Sequence, residues 1–387
     1  MELFSFLFKV KRNDKLGRYM VATRDLKPGE VLFREFPVIH GPKMLSHPIC
    51  LGCHKALTPK SPKGNFYRCS RCSWPLCSKQ CENLEPHVEE CKLMTTAGYK
   101  CPFKTNCSTM QYESIYCLIF PLRFLLLKRC QPNMWEIYTT LWISSEIFPS
   151  ALGFNFRFEK ILSELESHVD ERIASGSYDA LQKHLVPFVQ KLLGSKEFPT
   201  RLILKAAAIL DNNCFEISMP LRGVEMGGLF LTSLILCHDC VPNTKHYVNY
   251  LGSDVDIQCY QMTFQTTGGS AKLRRNRLCN SCFLLSFSVP VKKGEQLTTT
   301  YTNTLKSTLE RRRHLSQTKI FDCDCMRCRD ASEFSSYGSS WMCDQCGGLI
   351  VSKNPLDNSS SWECRKCKSQ KSQEVGRGTK SLGGMTS

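Results

Sequence analysis

Eight residues of the kind that bind zinc fall within 42 positions: Cys50-x2-Cys53, Cys69-x2-Cys72, Cys77-x3-Cys81 and His87-x3-Cys91. So short a stretch has no room for an apolar core of its own. Tetrahedral zinc takes four nitrogen or sulfur ligands, so eight ligands specify two ions. Two further thiol groups follow. "FDCDCMRC" offers Cys323, Cys325 and Cys328, three ligands that need a fourth from elsewhere. "WMCDQCGGL" and "SWECRKC" set Cys343 and Cys346 against Cys364 and Cys367 across 17 residues, the spacing of a zinc ribbon rather than of redox thiols. Cys279-x2-Cys282 has no second pair and is not counted as a site. Clusters of this kind, among 24 cysteines in a chain without a recognisable secretory leader, indicate thiolate ligation in a reducing compartment, the cytosol or nucleus.

The rest of the sequence sets these clusters in a larger frame. At 387 residues the chain is long enough for two or three units. The opening "MELFSFLFKVKR" puts charge after a short apolar run instead of before it, and "CLIFPLRFLLLK" is interrupted by Pro121 and Arg123. The expectation is therefore a soluble, non-secreted chain without a membrane span. "GRYMVATRDLKPGEVLFREFPVIH" reads as strand, Lys27-Pro28-Gly29 turn and strand. From about 110 to 200 the pattern reads as helical, with "FEKILSELESHVDERI" placing Ile161, Leu162, Leu165, Val169 and Ile173 on one face. "RLILKAAAIL" and "TLKSTLERRRHL" read as helices, short strands occupy 224 to 301, and "TTGGSAKLRRNRLCNSC" reads as a basic loop. The last twenty residues lack the apolar content to fold. A net charge of +16 admits an anionic partner, nucleic acid or acidic protein, on charge alone.

The opening "KLGRYMVATRDLKPGEVLF", the cysteine-rich finger after it, "NCFEI", "HDCVPN", "GEQLTTTY" and "FDCDCMRC" resemble, in that order, the SET and MYND domain lysine methyltransferases. "LGRY…VATRDLKPGE" and the ribbon look most like the arthropod branch. The resemblance implies an α+β fold, a SET β-clip core split by a MYND zinc finger and a helical insert, followed by a zinc-bound post-SET segment and a zinc ribbon. Its segments are 1–49 for the first part of SET, 50–91 for the finger, 92–200 for the insert and 201–304 for the SET core. Post-SET covers 305–330, the ribbon 331–370 and a disordered tail 371–387. It implies interleaved finger sites, Cys50, Cys53, Cys77 and Cys81 for one ion and Cys69, Cys72, His87 and Cys91 for the other. Cys240 becomes the fourth ligand to Cys323, Cys325 and Cys328, which with the ribbon makes four zinc ions. Tyr301 matches the tyrosine at the methyl-transfer channel. Gly17, Arg18, Asn213, Cys237, His238 and Phe321 match positions around S-adenosylmethionine, with Phe321 stacked on adenine.

The sequence also departs from that family. Tyr19 stands where the cofactor loop has a second glycine, Cys237 where an asparagine exchanges hydrogen bonds with the cofactor, and Lys319 where an aromatic lines the lysine channel. The long C-terminal helical domain of many members does not follow the ribbon here, and the loop at 261–284 is longer than usual. Two function classes follow. One is a protein-lysine N-methyltransferase with a lysine-bearing protein substrate and a protein partner on the finger, in nucleus or cytoplasm. The other is a zinc-rich adaptor or transcriptional co-regulator of weak or no activity.

Overall fold

The computed structural model describes residues 7–35, 37–43, 46–57, 66–84, 87–102, 115–130, 136–140, 151–155, 164–219, 223–250 and 281–371. The chain divides into two compact units, one of residues 1–28, 236–245 and 287–387, the other of 29–235 and 246–286.

In the first unit, strands Phe8–Asn13 and Gly17–Ala22 pair as an antiparallel hairpin. The Asn13 side-chain oxygen accepts the Leu16 N–H at 2.7 Å, and Gly17 follows at φ +63, a left-handed conformation that any Cβ would strain. Leu26 bridges Val291 and Val21 bridges Gln296, and Cys237–His238 pairs in parallel with Thr298–Thr299. Asn243, from the Pro-Asn turn, splices this ladder. Its Nδ2 donates to the Gln296 carbonyl at 2.8 Å and its Oδ1 accepts the Thr298 N–H at 2.9 Å. A carboxamide carries both functions of a peptide group, so it extends pairing past the turn.

Helix Thr308–Thr318 starts at a full capping box formed by Ser307 and Glu310. The 3- and 4-residue spacing of Thr308, Arg311 and Leu315 puts them on one buried face. Glu333 answers the buried arginine: its carboxylate accepts the Thr308 and Ser339 N–H groups, each at 2.7 Å, and lies 3.5 Å from the Arg311 guanidinium. Four short antiparallel strands, Trp341–Met342, Leu349–Ser352, Trp362–Cys364 and Gln370–Lys371, form the ribbon sheet. Gln370–Lys371 falls within the twenty residues expected not to fold. It is held as an edge strand by backbone pairing to Trp362 and Glu363, which requires no apolar side chain. Residues 372–387 lie outside the described residues.

The second unit contains most of a three-stranded sheet of Thr244–Tyr250, Ser281–Phe287 and Val31–Glu35, and all of another of Ile39–Pro42, Met226–Leu229 and Phe215–Ile217. The strands read at 17–40 are therefore present, but the first pairs with Phe8–Asn13 and the second with Ser281–Phe287. Helix Ile119–Cys130 packs flush on the second sheet. A Cβ on Gly41 or Gly227 would come within 2.8 or 2.9 Å of the Phe120 ring. Pro121 sits in the first turn, where no intrahelical N–H is lost.

The insert is not wholly helical. Glu136–Thr140 and Ala151–Asn155 pair antiparallel, in keeping with the β-branched and aromatic content of "EIYTT". Nor does one helix cover "FEKILSELESHVDERI". Residues 156–163 lie outside the described residues, residues 165–168 are not helical, and the next helix runs over Val169–Ala174. It starts there because His168 takes φ +50, between Glu166 and Glu171 at 3.6 and 3.7 Å. Two amphipathic helices follow, Asp179–Leu193 within the expected insert and Thr200–Asn213 at the start of the segment expected as the SET core.

Arg123, on the helix Ile119–Cys130, is buried at 5% exposure. It forms an ion pair with Glu90 of the helix His87–Thr96 and donates to the His40 carbonyl at 3.0 Å and the Leu51 carbonyl at 3.3 Å. Its Nη1 also lies 3.0 Å from His54 Nε2. Burial, with the Arg123 charge adding to it, pushes the His40 pKa down to about 3, so this imidazole stays neutral. One guanidinium thus joins a strand, a cysteine-rich loop and two helices. Replacing it strands the Glu90 carboxylate in the core, so Arg123→Ala should cost about 3–5 kcal/mol. Arg123→Met with Glu90→Leu should recover most of that. Thermal and urea unfolding of the two variants check this; equal losses in both would contradict it.

Candidate metal centres and cofactor site

The finger places its ligands by local geometry. Cys50 and Cys53 flank a tight turn whose Gly52 leaves no room for a Cβ, which would lie 2.7 Å from the Cys81 carbonyl. Cys69 and Cys72 lie between the paired strands Tyr67–Arg68 and Pro75–Leu76. Glu82 braces that turn, accepting from the Tyr67 hydroxyl at 2.6 Å, the Ser70 N–H at 2.8 Å and the Ser70 hydroxyl at 2.9 Å. Those donors, Tyr67 foremost, lower its pKa to about 2. His87 and Cys91 sit one turn apart on the helix His87–Thr96 and so share a face.

Four groups of four ligand atoms result, each with all atoms within 4.8 Å of one another: Cys50, Cys53, Cys77 and Cys81; Cys69, Cys72, His87 and Cys91; Cys240, Cys323, Cys325 and Cys328; Cys343, Cys346, Cys364 and Cys367. These sets coincide with the four expected from spacing and resemblance. Cys279, by contrast, lies outside the described residues. The donor sets fit zinc. Zinc–sulfur bonds of about 2.3 Å in a tetrahedron put the sulfurs about 3.8 Å apart. Here Cys53 and Cys77 are 3.5 Å apart, Cys69 and Cys91 3.6 Å, Cys240 and Cys328 3.6 Å, and Cys343 and Cys367 3.8 Å. His87 Nε2 is 3.8 Å from the Cys72 sulfur, and burial pushes the His87 pKa down to about 4, giving the neutral imidazole that a metal requires. Each group can therefore hold a zinc ion.

Sequence reasoning missed two charged groups beside these clusters. Arg71 donates to the Glu82 carbonyl at 2.7 Å within the finger. Arg311, fully buried, places Nη2 3.9 Å from the Cys328 sulfur and 2.8 Å from the Thr308 hydroxyl. Its helical spacing with Thr308 and Leu315 was the available signal.

The first unit also gathers most of the residues expected at a cofactor. The Cys237 sulfur is 3.9 Å from the Arg18 carbonyl, next to Gly17. Burial raises the Cys237 pKa, so it is a thiol and a weak donor. The His238 ring lies 5.4 Å from that of Tyr301 and 5.9 Å from that of Phe321, centre to centre. Tyr301 packs on the Cys240 cluster, and its hydroxyl donates to the Leu236 carbonyl at 2.5 Å. Lys319 holds its ammonium 5.9 Å from the centre of the Tyr301 ring, as a cation over an aromatic face. Asn213 belongs to the second unit, at the end of the helix Thr200–Asn213, where its amide donates to the Glu166 and Ile209 carbonyls at 2.7 and 2.8 Å. The basic stretch 272–277 lies outside the described residues.

No family model matches the chain. Individual proteins do. The SET domain-containing protein SmydA-8 of Drosophila melanogaster is 24% identical over 364 residues, 91% of this chain and 63% of that protein. The histone-lysine N-methyltransferase SMYD3 of Homo sapiens is 24% identical over 331 residues, 81% of this chain and 60% of that protein. A SET and MYND domain-containing protein of Dictyostelium discoideum is 22% identical over 388 residues, 89% of each. Over most of its length the chain is thus similar to SET and MYND domain proteins. It spans somewhat under two thirds of the insect and human relatives, and the first of these is an arthropod protein, in line with the expected branch. The chain has the expected mix of helices and strands, with two cysteine-rich clusters in 50–91, one joining Cys240 to Cys323, Cys325 and Cys328, and one in 343–367. Among the described residues, no helix is long and apolar enough to cross a membrane.

Elemental analysis of the purified protein should give four zinc ions per chain, one per cluster; two or fewer would contradict the assignment. Cys240→Ser should remove one ion and loosen the segment after the core, whereas Cys237→Ser should leave metal content and melting temperature nearly unchanged.

Proposed function

We propose that the chain is an S-adenosylmethionine-dependent protein-lysine N-methyltransferase, acting on histone or non-histone proteins in the nucleus or cytoplasm. The finger would dock a protein partner. The observation that carries this reading is the convergence, within one unit, of Gly17, Arg18, Cys237, His238 and Phe321 with Tyr301 beside the Cys240 cluster. The relatives named as histone-lysine methyltransferases support it.

Bound S-adenosylmethionine supplies the methyl group as a sulfonium. The chain's own residues would position that cofactor and the incoming amine. The Arg18 carbonyl and the Cys237 thiol line one side, and the 37%-exposed Phe321 offers a ring face for adenine. Burial raises the Tyr301 pKa well above the ordinary phenol range, so the group remains a hydroxyl. Because it donates to the Leu236 carbonyl, its oxygen is left to accept an amine N–H and to aim the amine lone pair. In-line displacement at carbon needs a neutral amine held at attack distance, not a strong base, and none stands among these residues.

Cys237 and Lys319 favour the second reading, a zinc-rich adaptor. The thiol exchanges hydrogen bonds weakly, and an ammonium over Tyr301 opposes a charged lysine. Calorimetric titration with S-adenosylmethionine, paired with a methyl-transfer assay on mixed protein substrates, separates the two. Cys237→Asn should tighten cofactor binding by about 5- to 150-fold, the worth of one buried hydrogen bond. Tyr301→Phe should cut transfer with little change in that affinity. If Cys237→Asn binds no better than the parent and neither transfers methyl groups, the adaptor is the better account.

A further inference from the structure

His238 sits between a metal-ligand cysteine and Tyr301, and both ring nitrogens are occupied. The Tyr301 backbone N–H donates to His238 Nδ1 at 2.9 Å. A backbone N–H can only donate, so Nδ1 carries no proton and the neutral ring bears its hydrogen on Nε2. That Nε2 lies 3.3 Å from the Cys240 sulfur, a distance at which an N–H donates to a thiolate. The ring is fixed from behind as well, because Cys237–His238 is paired to Thr298–Thr299, two residues before Tyr301. Neither nitrogen is left for a cofactor, so only the backbone and ring face of His238 can serve one.

We propose that His238 is a positioning residue that couples the metal centre of Cys240, Cys323, Cys325 and Cys328 to Tyr301. Its Nε2–H steadies the Cys240 sulfur while its Nδ1 fixes the Tyr301 amide. The inference rests on the reading of that cluster as a zinc site. A zinc ion with four thiolates carries a net charge of about −2, and hydrogen bonds to the sulfurs draw that charge outward. His238 supplies one at Cys240, and the buried Arg311 supplies another at Cys328, 3.9 Å away. Because one imidazole makes both contacts, displacement of the Cys240 sulfur moves the residue that sets the Tyr301 backbone. Partners of this kind typically change metal affinity by about 10- to 100-fold when lost.

Two substitutions separate the two nitrogens in the full-length, zinc-loaded chain. In His238→Asn the carboxamide oxygen stands near the place of Nδ1 and can accept the Tyr301 N–H, but nothing reaches Cys240. In His238→Gln the amide nitrogen reaches toward Cys240, but the acceptor for Tyr301 is lost. Zinc release to a competing chelator should show one ion of the four held about 10- to 100-fold more weakly in His238→Asn and near parental strength in His238→Gln. In protein labelled with 15N-tyrosine, the Tyr301 amide resonance, assigned with Tyr301→Phe, should stay in place in His238→Asn and shift in His238→Gln. Equal behaviour of the two variants in either readout overturns the proposal. Should His238→Asn fail to fold, long-range proton–nitrogen correlation on the parent decides it. A neutral Nε2–H tautomer for His238 is expected, and an Nδ1–H or doubly protonated ring overturns it. A parent chain with no zinc at this cluster removes the metal reading and the proposal together, whereas four bound ions with indifferent variants remove the proposal alone.

Discussion

Cys240 depends on a contact across 83 residues of sequence, its sulfur lying 3.9 Å from that of Cys323. This long closure is what an ion at the cluster would hold. The short segment 321–330 carries a four-residue helix, Met326–Arg329, and has only Cys323 and Cys328 buried, so it cannot keep its place by hydrophobic burial. Ligation ties it to the strand Cys237–His238, and through that strand to Thr298–Thr299 and Tyr301. The geometry around His238 and Tyr301 therefore depends on four sulfurs staying together.

The second unit solves a similar problem with charge. Its finger has little apolar content beyond Trp74, Leu76 and a few neighbours, and Arg123 joins it to a strand and a helix through Glu90, His54 and the carbonyls of His40 and Leu51. A buried ion pair of this kind contributes little net stability against an apolar replacement, but breaking it is costly, so it enforces one arrangement. Glu35 is another buried carboxylate in this unit. It accepts from the Thr232 and Ser233 N–H groups and the Ser233 hydroxyl at 2.7, 2.9 and 2.6 Å, and so caps the short helical turn Ser233–Ile235. Burial nonetheless raises its pKa to about 7.

What was legible in the sequence was local. C-x2-C spacing places two ligands on one turn, so the ribbon set and the count of two ions in the finger could be read from spacing, while the interleaving of the finger's ligands came from the resemblance. The helix read in "TLKSTLERRRHL" was local too, and the structure starts it at the Ser307–Glu310 capping box. Cys240 could not be joined to its cluster by spacing, since no local rule spans 83 residues; the ordered motifs supplied that link. The insert was misread as all helical because a five-residue strand pair leaves a weaker trace than a helical repeat, and because nothing in "ESHVDE" signals the left-handed turn at His168. The buried arginines were overlooked for a different reason. Arg123 served only as an argument against a membrane span, and Arg311 was not singled out, although its phase with Leu315 pointed inward.

Under the proposed function, the segment that Cys323, Cys325 and Cys328 hold to Cys240 is part of the cofactor site, so binding of S-adenosylmethionine depends on this cluster. Titrating S-adenosylmethionine calorimetrically onto the zinc-loaded parent and onto Cys240→Ser tests it directly. The account predicts saturable binding by the parent and its loss in the variant, with the finger's metal still in place. Equal binding by both, or none by the fully loaded parent, would contradict it.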